Sequence, residues 1–363
     1  MDEILKIGII GCGGIANGKH MPALKKVEGV EMVAFCDIIK ERAEKAAKEY
    51  GTPDAKVYED YKELLKDGSI DVVHVCTPNR SHSFITIDAL EAGKHVMCEK
   101  PMAKTSKEAQ AMLEAAKRTG KKLTIGYQNR NTAANIYAKK CADDGEFGEI
   151  YYGKALAVRR RAVPTWGVFL NEEEQGGGPL IDIGTHALDL TLWMMNNYEP
   201  EMVVGQTFRK LADQKNTGNA WGDWDPEKFT VEDSAFGFIK MKNGAVINLE
   251  SSWALNIAYP QEACYMISGV KGGVDTLNDK VRLNYVKNGR QCIEEPDLKA
   301  GGVAFYEGAG SGSPSEIEAA QWINAIRTDT DPVVLPEQAL CVTKILEAIY
   351  KSAKTGKPVY FND

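Results

Sequence analysis

No run of apolar residues in this 363-residue chain reaches the roughly 18 needed for a membrane-spanning helix. Basic residues are not in excess: 44 Lys and Arg stand against 51 Asp and Glu, a formal net charge of −7. That balance argues against a nucleic-acid partner or an anionic membrane surface. The eight cysteines, at positions 12, 36, 76, 98, 141, 264, 292 and 341, form no Cys-x-x-Cys pair and no Cys/His spacing suited to a metal. No metal is therefore expected, and the first four cysteines sit in or beside apolar runs, where a free thiol behaves as a small hydrophobe. A reduced, cytoplasmic compartment follows as the expectation. The acidic opening Met1-Asp2-Glu3 runs straight into a strand-like segment and does not read as a signal peptide. Internal repeats and low-complexity tracts are lacking. Histidine is scarce, with five in the chain and only His186 after His95.

What is present is ordinary for a soluble globular protein, 44% hydrophobic and 26% charged, and long enough for two domains with separate cores. Residues 4–10 are apolar apart from Lys6 and Gly8 and run into Gly11-Cys12-Gly13-Gly14-Ile15-Ala16, which fits G-x-G-x-x-A. In a dinucleotide-binding turn, Gly11 allows the tight bend and Gly13 lets backbone approach a pyrophosphate. Gly14 and Ile15 open the next helix, and Ala16 lets that helix pack closely. The next strand, 30–36, ends in Asp37, where the fingerprint wants an acid on a ribose diol. A carboxylate there repels a 2′-phosphate and favours NAD over NADP, although Lys40 and Arg42 lie nearby. The competing reading of Asp37 is a helix N-cap.

Strand and helix then alternate. Strand 70–76 ends in Thr77-Pro78-Asn79, and a helix from about 81 to 92 stops at Gly93. Strand 95–99 follows, then a helix opened by the capping box Thr105-Ser106-Lys107-Glu108 and stopped by Gly120, then strand 123–126. This is the pattern of a doubly wound parallel sheet, a Rossmann domain over residues 1–126. Its segment Cys98-Glu99-Lys100-Pro101 is odd, because a buried strand needs no lysine at its end and proline stops the ladder. Ligands collect beyond the carboxyl ends of such strands. Gly11, Asp37, Thr77 and Lys100 all fall there.

Beyond residue 126 the pattern changes to an α+β domain, 127–363, with a large open, mainly antiparallel sheet. A helix over 132–142 and a strand over 150–160 come first. Strands 231–239 and 246–253 are joined by Asn243-Gly244, a strong hairpin signal. Residues 266–267 and 281–286 suggest further strands. The stretch 205–228, with Trp221 and Trp224, reads as an excursion of unassigned role. Helices over 316–326 and 337–351 are expected, and the region 316–351 is a candidate to pack back on the first domain. The informative stretch is Gly176-Gly177-Gly178-Pro179, followed by Asp182, His186 and Asp189 at helical spacing on one face. A histidine can accept a hydroxyl proton at neutral pH, and Asp182 can orient a hydroxyl or the imidazole. The alternative is a buried helix histidine satisfied by its own i−4 carboxylate. The run Arg159-Arg160-Arg161 suits a polyhydroxylated or carboxylated ligand, or else is a solvated surface cluster.

Taken together, G-x-G-x-x-A, Thr77-Pro78-Asn79 with His82, Glu99-Lys100-Pro101, Gly126-Tyr127 with Arg130, and the glycine run with Asp182-x-x-x-His186 resemble the Gfo/Idh/MocA oxidoreductases, the glucose-fructose oxidoreductase and inositol dehydrogenase group. The resemblance spans residues 5–357. It implies an NAD-dependent enzyme that moves a hydride between nicotinamide and a ring hydroxyl of a sugar, glycoside or cyclic polyol. It implies that Lys100 contacts the nicotinamide ribose and the reacting hydroxyl, that His186 is the general base, and that Asp182 holds a neighbouring hydroxyl. Thr77, Pro78, Asn79, His82, Glu99, Gln128 and Trp166 are implied to line the cofactor. Arg159 and Arg160 join Lys100, Asp182 and His186 on the substrate side. Lysine ordinarily stays protonated at neutral pH, so the base is sought in His186 rather than Lys100. A homodimer or homotetramer through the open sheet is also implied. Two other readings stand beside this one: an NAD-dependent glycosidase holding its cofactor permanently, and a non-catalytic dinucleotide sensor.

Overall fold

The computed structural model describes residues 4–298 and 312–361, so the acidic opening Met1, Asp2 and Glu3 lies outside the described residues. These residues fall into two compact units, one within Met1–Asn131 and Glu307–Leu340, the other within Thr132–Tyr306 and Cys341–Asp363.

In the first unit, β1 (Leu5–Ile10) leads through a π-helical turn (Ala16–His20) into α1 (Met21–Leu24). Then come β2 (Val30–Cys36), α2 (Lys40–Tyr50), β3 (Lys56–Tyr58), α3 (Tyr61–Leu65), β4 (Val72–Val75) and α4 (His82–Glu91). They are followed by β5 (His95–Glu99), α5 (Ser106–Thr119) and β6 (Leu123–Gly126). The strands form one parallel sheet in the order β3-β2-β1-β4-β5-β6. That order reverses between β1 and β4, which puts the crevice of a doubly wound sheet beside the glycine turn. The expected strand and helix bounds hold to within a few residues. The capping box is present, with Glu108 N–H donating to Thr105 Oγ1 and Thr105 N–H to Glu108 Oε2. β3 and α3 are additions that the sequence pattern did not single out.

The turn Gln128–Asn131 falls within the first unit, whose first segment runs to Asn131. Arg130 is fully buried, and its Nη1 donates to Val333 O (3.1 Å) and Gln338 Oε1 (2.7 Å) of the same unit. Late in the chain, α9 (Pro314–Arg327) adds Ala319, Trp322 and Ile323 to the core that holds Met21, Leu24 and Met97.

The second unit contains α6 (Ala133–Asp143), β7 (Ile150–Val158), α7 (Glu172–Gln175), α8 (Thr185–Met195) and β8 (Pro200–Phe208). It continues with β9 (Ser234–Met241), β10 (Val246–Ser252), β11 (Gln261–Gly269), β12 (Gly272–Asp275), β13 (Arg282–Lys287) and β14 (Arg290–Glu294). After α10 (Pro336–Thr355), which belongs here from Cys341 onward, β15 (Val359–Tyr360) completes it. The nine strands run β14-β13-β12-β11-β7-β10-β9-β8-β15, antiparallel except for the β7–β10 pair.

Side chains along β10 alternate, Ile247, Leu249 and Ser251 buried and Val246, Asn248 and Glu250 not, as a sheet covered on one face requires. α8 packs against β7 so closely that a Cβ on Gly153 would lie 2.8 Å from Thr191 Cγ2 and 2.9 Å from Met195 Sδ. α10 does the same at the β8–β9 pair Gly205↔Gly237, where added Cβ atoms would meet Ile349 at 2.6 and 2.7 Å. The opposite face is open, with Val204 and Phe238 exposed and Lys154 paired to Glu250 at 2.7 Å. The excursion expected over 205–228 is corrected at its start, since residues up to Phe208 belong to β8. The helix expected from Pro179 begins as a π-helical turn, Leu180–Gly184, before α8.

Candidate active site

The first unit collects its expected residues at the carboxyl ends of its strands. Gly11 has φ +91°, and a Cβ there would lie 2.7 Å from Cys76 C and O, so only glycine fits between β1 and β4. Added Cβ atoms on Gly13 and Gly14 would meet nothing within 4 Å, which leaves an open backbone cradle. Asn17 Nδ2 donates to Cys12 O and Gly13 O, both at 2.8 Å, and holds that cradle in shape. Asp37 is buried; its Oδ2 accepts from Cys12 N–H (2.8 Å) and its Oδ1 from Ile39 N–H (2.9 Å). The N-cap of α2 is Ile39, so Asp37 shapes the turn before the helix and the glycine loop together. Each carboxylate oxygen retains a lone pair. Open cradle and available acid fit a dinucleotide: Gly13, Gly14 and Ile15 for the phosphates, Asp37 for a ribose diol.

At the end of β4, Thr77 Oγ1 accepts from Ser81 Oγ (2.8 Å), with Pro78 exposed and Asn79 half-buried beside it. His82, expected to line the cofactor, is buried, its Nδ1 2.8 Å from Pro101 O and its Nε2 2.8 Å from Thr77 O. Burial pushes its pKa down against the pull of those two carbonyls. The ring ties the β4 and β5 end turns together and supports Thr77 and Lys100 from behind.

Glu99 also faces inward. Its Oε1 takes Lys19 Nζ and His20 Nε2, both at 2.7 Å, and its Oε2 accepts the N–H of Lys100 at 3.1 Å. Lys19 further pairs with Glu318 at 3.0 Å and donates to Gln128 Oε1 at 3.1 Å. Burial opposes ionisation of Glu99, yet Lys19 and His20 hold its carboxyl well below the usual range. Burial likewise opposes the Lys19 ammonium, and Glu318 and Glu99 outweigh it and push its pKa up. Gly126 is glycine for room here, since a Cβ would sit 3.0 Å from both Glu99 Oε1 and Lys19 Nζ. Lys100 itself is half-buried, and its peptide to Pro101 is cis.

In the second unit the close approach promised by the glycine run is to protein rather than to a ligand. A Cβ on Gly177 would lie 2.0 Å from Tyr350 Oη, and one on Gly178 2.1 Å from Glu232 O. Glu232 Oε2 accepts from Gly178 N–H (2.8 Å), and its Oε1 accepts from Leu180 N–H (3.1 Å) and Tyr350 O–H (2.8 Å). That carboxylate therefore fixes the turn from which Asp182 and His186 project. Both are half-buried, whereas Asp189 points into the core. Asp182 Oδ2 accepts from Trp253 Nε1–H at 3.0 Å.

Burial pushes the Glu232 carboxyl up to about 7 against its three donors. A raised acid contributes stability that is complete below its unfolded value near 4.3 and is lost as pH rises through about 7. Wild type should therefore lose roughly 3 kcal/mol relative to Glu232→Gln between pH 4 and 8. Melting temperatures of the two proteins across that range measure this, and parallel curves would remove the assignment.

The three arginines do not act as a cluster. Arg159 Nε donates to Glu262 Oε2 at 2.8 Å, its Nη2 bonds Glu262 Oε1, and its Nη1 donates to Ala162 O at 3.2 Å. Burial opposes the Arg159 charge, and the Glu262 carboxylate outweighs it, with the charge of Asp182 adding to the same pull. Arg160 faces solvent, and Arg161 Nη2 donates to Asn256 Oδ1 at 2.7 Å. Trp166 packs edge-on against Trp221, centroids 4.8 Å apart. Residues that sequence reasoning did not single out are Lys19, His20 and Glu318 around Glu99, and Glu232, Tyr350 and Trp253 around Asp182. Their partners lie 52 to 118 positions away in the second unit's examples, so no local spacing carries them.

Among the described residues no group of three or more His, Cys, Asp or Glu could hold a metal ion, and no helix is long and apolar enough to cross a membrane. Residues 5–127 match the Gfo/Idh/MocA model described as an oxidoreductase family, NAD-binding Rossmann fold, and residues 139–361 match its C-terminal alpha/beta domain. The chain is 35% identical over 355 residues to D-glucoside 3-dehydrogenase of Escherichia coli (strain K12), spanning 98% of this chain and 97% of that one. It is 31% identical over 252 residues to glucose-6-phosphate 3-dehydrogenase of Bacillus subtilis (strain 168), 68% and 67% of the two chains. A solved structure, aldose-aldose oxidoreductase from Caulobacter crescentus complexed with glycerol, matches at a TM-score of 0.80 and 26% identity over 98% of this chain and 99% of that one. Both halves of the family pattern run in order through nearly the whole length, and the chain belongs to the Gfo/Idh/MocA family of NAD-binding oxidoreductases.

Proposed function

We propose that this protein oxidises a ring hydroxyl of a hexopyranoside, at C3, to the ketone, using NAD. The observation that carries the substrate is the full-length likeness, 35% identical, to a protein named for acting at that carbon of D-glucosides. NAD, when bound, supplies the hydride acceptor. His186 takes the hydroxyl proton, and a base placed this way contributes about 10²–10⁴-fold. Lys100 stabilises the negative charge that develops on the oxygen. Asp182, aimed by the Trp253 N–H, holds a neighbouring hydroxyl. Asp37 accepts the ribose diol and makes NAD preferred over NADP.

The test is a panel of methyl β-D-glucopyranoside, D-glucose, cellobiose and myo-inositol with NAD and NADP in parallel. NADH accumulation with the glucosides is expected, faster than with inositol, and NAD should be preferred by about tenfold or more. Free sugar released from a glycoside with no net NADH would make the protein a glycosidase. Cofactor binding without turnover across the panel would make it a sensor.

A further inference from the structure

Of the six tryptophans in the chain, Trp224, Trp253 and Trp322 are buried, while Trp166 and Trp221 are 51% and 44% exposed. The exposed pair touch each other. Large apolar side chains left together in solvent mark a binding surface more often than an accident of folding. They are also held rigidly. The excursion after β8 returns to the segment after β7 through Ala220 N–H to Arg161 O (2.9 Å). Val163 N–H donates to Asn219 Oδ1 (2.8 Å), Asn219 Nδ2 donates back to Val163 O (3.0 Å), and Thr165 Oγ1 donates to Trp221 O (2.7 Å).

Behind them the excursion has a small core of its own. Trp224 Nε1 donates to Ala212 O (2.9 Å), its ring packs on Phe229, and Phe229 packs on Trp253, whose N–H holds Asp182. The excursion is thus built onto the carboxylate of the proposed reaction site. Arg159 links the two: its N–H donates to Ser252 O (2.8 Å), the neighbour of Trp253, and its guanidinium lies 5.4 Å from the centre of the Trp221 ring.

We propose that Trp221 and Arg159 form a subsite for a second sugar ring, glycosidically linked to the ring that is oxidised. An indole face carries negative quadrupole density and accepts the C–H face of a pyranose by apolar stacking. Of the five N–H groups of the guanidinium, three serve Glu262 and Ala162, which leaves two for ring hydroxyls. The fixed excursion means that little ordering is needed on binding. The ligand class is a β-linked or α-linked disaccharide rather than a free hexose or an inositol. The inference rests on the sugar-oxidation reading for the chemistry next door, but not for the binding itself.

The full-length protein with NAD is compared with Trp221→Ala and Trp221→Phe, using cellobiose and methyl β-D-glucopyranoside. Trp221→Ala should raise KM for cellobiose about five- to tenfold and leave kcat, and KM for the methyl glucoside, within about twofold. Trp221→Phe should restore most of the cellobiose KM. A loss shared equally by both sugars, or no loss, overturns the subsite. If wild type oxidises neither sugar, the sugar-oxidation reading fails, and titration calorimetry of cellobiose then decides the subsite separately. Binding weakened by Trp221→Ala supports it; equal binding or none overturns it.

Discussion

Replacing Lys100 by Met is expected to lower kcat by about 10³-fold or more while NAD binds within about threefold of wild type. Methionine keeps an unbranched stem as far as Cε, with sulfur for the δ-methylene, and removes the ammonium. Glu99 takes the Lys100 main-chain N–H, which methionine retains, and its carboxylate is paired with Lys19 and hydrogen-bonded to His20. The fold should therefore tolerate the change, and the loss should appear in turnover. The oxygen of a hydroxyl being oxidised gains negative charge as its proton leaves, and a fixed cation at that point lowers the barrier more than it lowers the ground state. Steady-state rates and NADH binding by fluorescence read the two effects apart. Turnover close to wild type would remove Lys100 from the chemistry, and a parallel loss of NAD affinity would make it a cofactor ligand first.

Lys100 was legible in the sequence because its position breaks a rule that strands otherwise obey. A polar, proline-stopped end to an apolar run has few structural explanations in a parallel sheet. The whole first sheet was legible for a related reason: continuous apolar strands, the glycine turn and the Thr105 capping box are local signals that agree with one another. β3 was not, because three residues, Lys56–Tyr58, carry no period and are strand only through pairing with β2. In the second unit, β9 and β10 announced themselves through Asn243-Gly244. β12, with the sequence Gly-Gly-Val-Asp, has weak strand propensity and exists through its neighbours β11 and β13. The parallel pairing of β7 with β10 is likewise a tertiary fact, joining segments nearly a hundred residues apart.

The site divides in the same way. Asp182 and His186 were visible as an i, i+4 pair, yet the meaning of the glycines before them was only half visible. Their lack of side chains makes room for Glu232 and Tyr350, which no spacing rule connects to residue 178. The arginine run shows where local reading stops. Adjacent in sequence, Arg159, Arg160 and Arg161 go to Glu262, to solvent and to Asn256, because strand neighbours point to opposite faces and β7 ends at Val158. Arg159 keeps its guanidinium 5.4 Å from the centre of the Trp221 ring.

Lys19→Met should destabilise the first unit by about 3–5 kcal/mol at pH 8, roughly a 10 °C fall in melting temperature. The ammonium is the cation between two buried carboxylates, Glu99 at 2.7 Å and Glu318 at 3.0 Å, with side chains no more than 8% exposed. Without it, burial and mutual repulsion raise the pKa of both acids in the folded state. Glu318 is already pushed up by burial and by Glu99, with Lys19 acting against them. A carboxyl raised on folding contributes stability that is complete below its unfolded pKa near 4.3 and is lost as pH rises through the folded value. The deficit of the variant should accordingly shrink as pH is lowered from 8 to 5. Wild type carries the opposite sign at Glu99, whose depressed pKa stabilises above about 4.3 and is lost only as pH falls further. Adding Glu318→Gln to Lys19→Met removes one of the unpaired charges and should recover part of the loss, because replacing a whole buried pair costs far less than breaking it. Melting curves of both variants at pH 5 and 8 measure this, and a single variant as stable as wild type at pH 8, or one whose deficit grows toward pH 5, would show that Lys19 does not hold these acids. Since Glu99 also takes the N–H of Lys100, the same substitution loosens the one strand end on which the proposed chemistry depends. Activity should fall further than the melting temperature alone would account for.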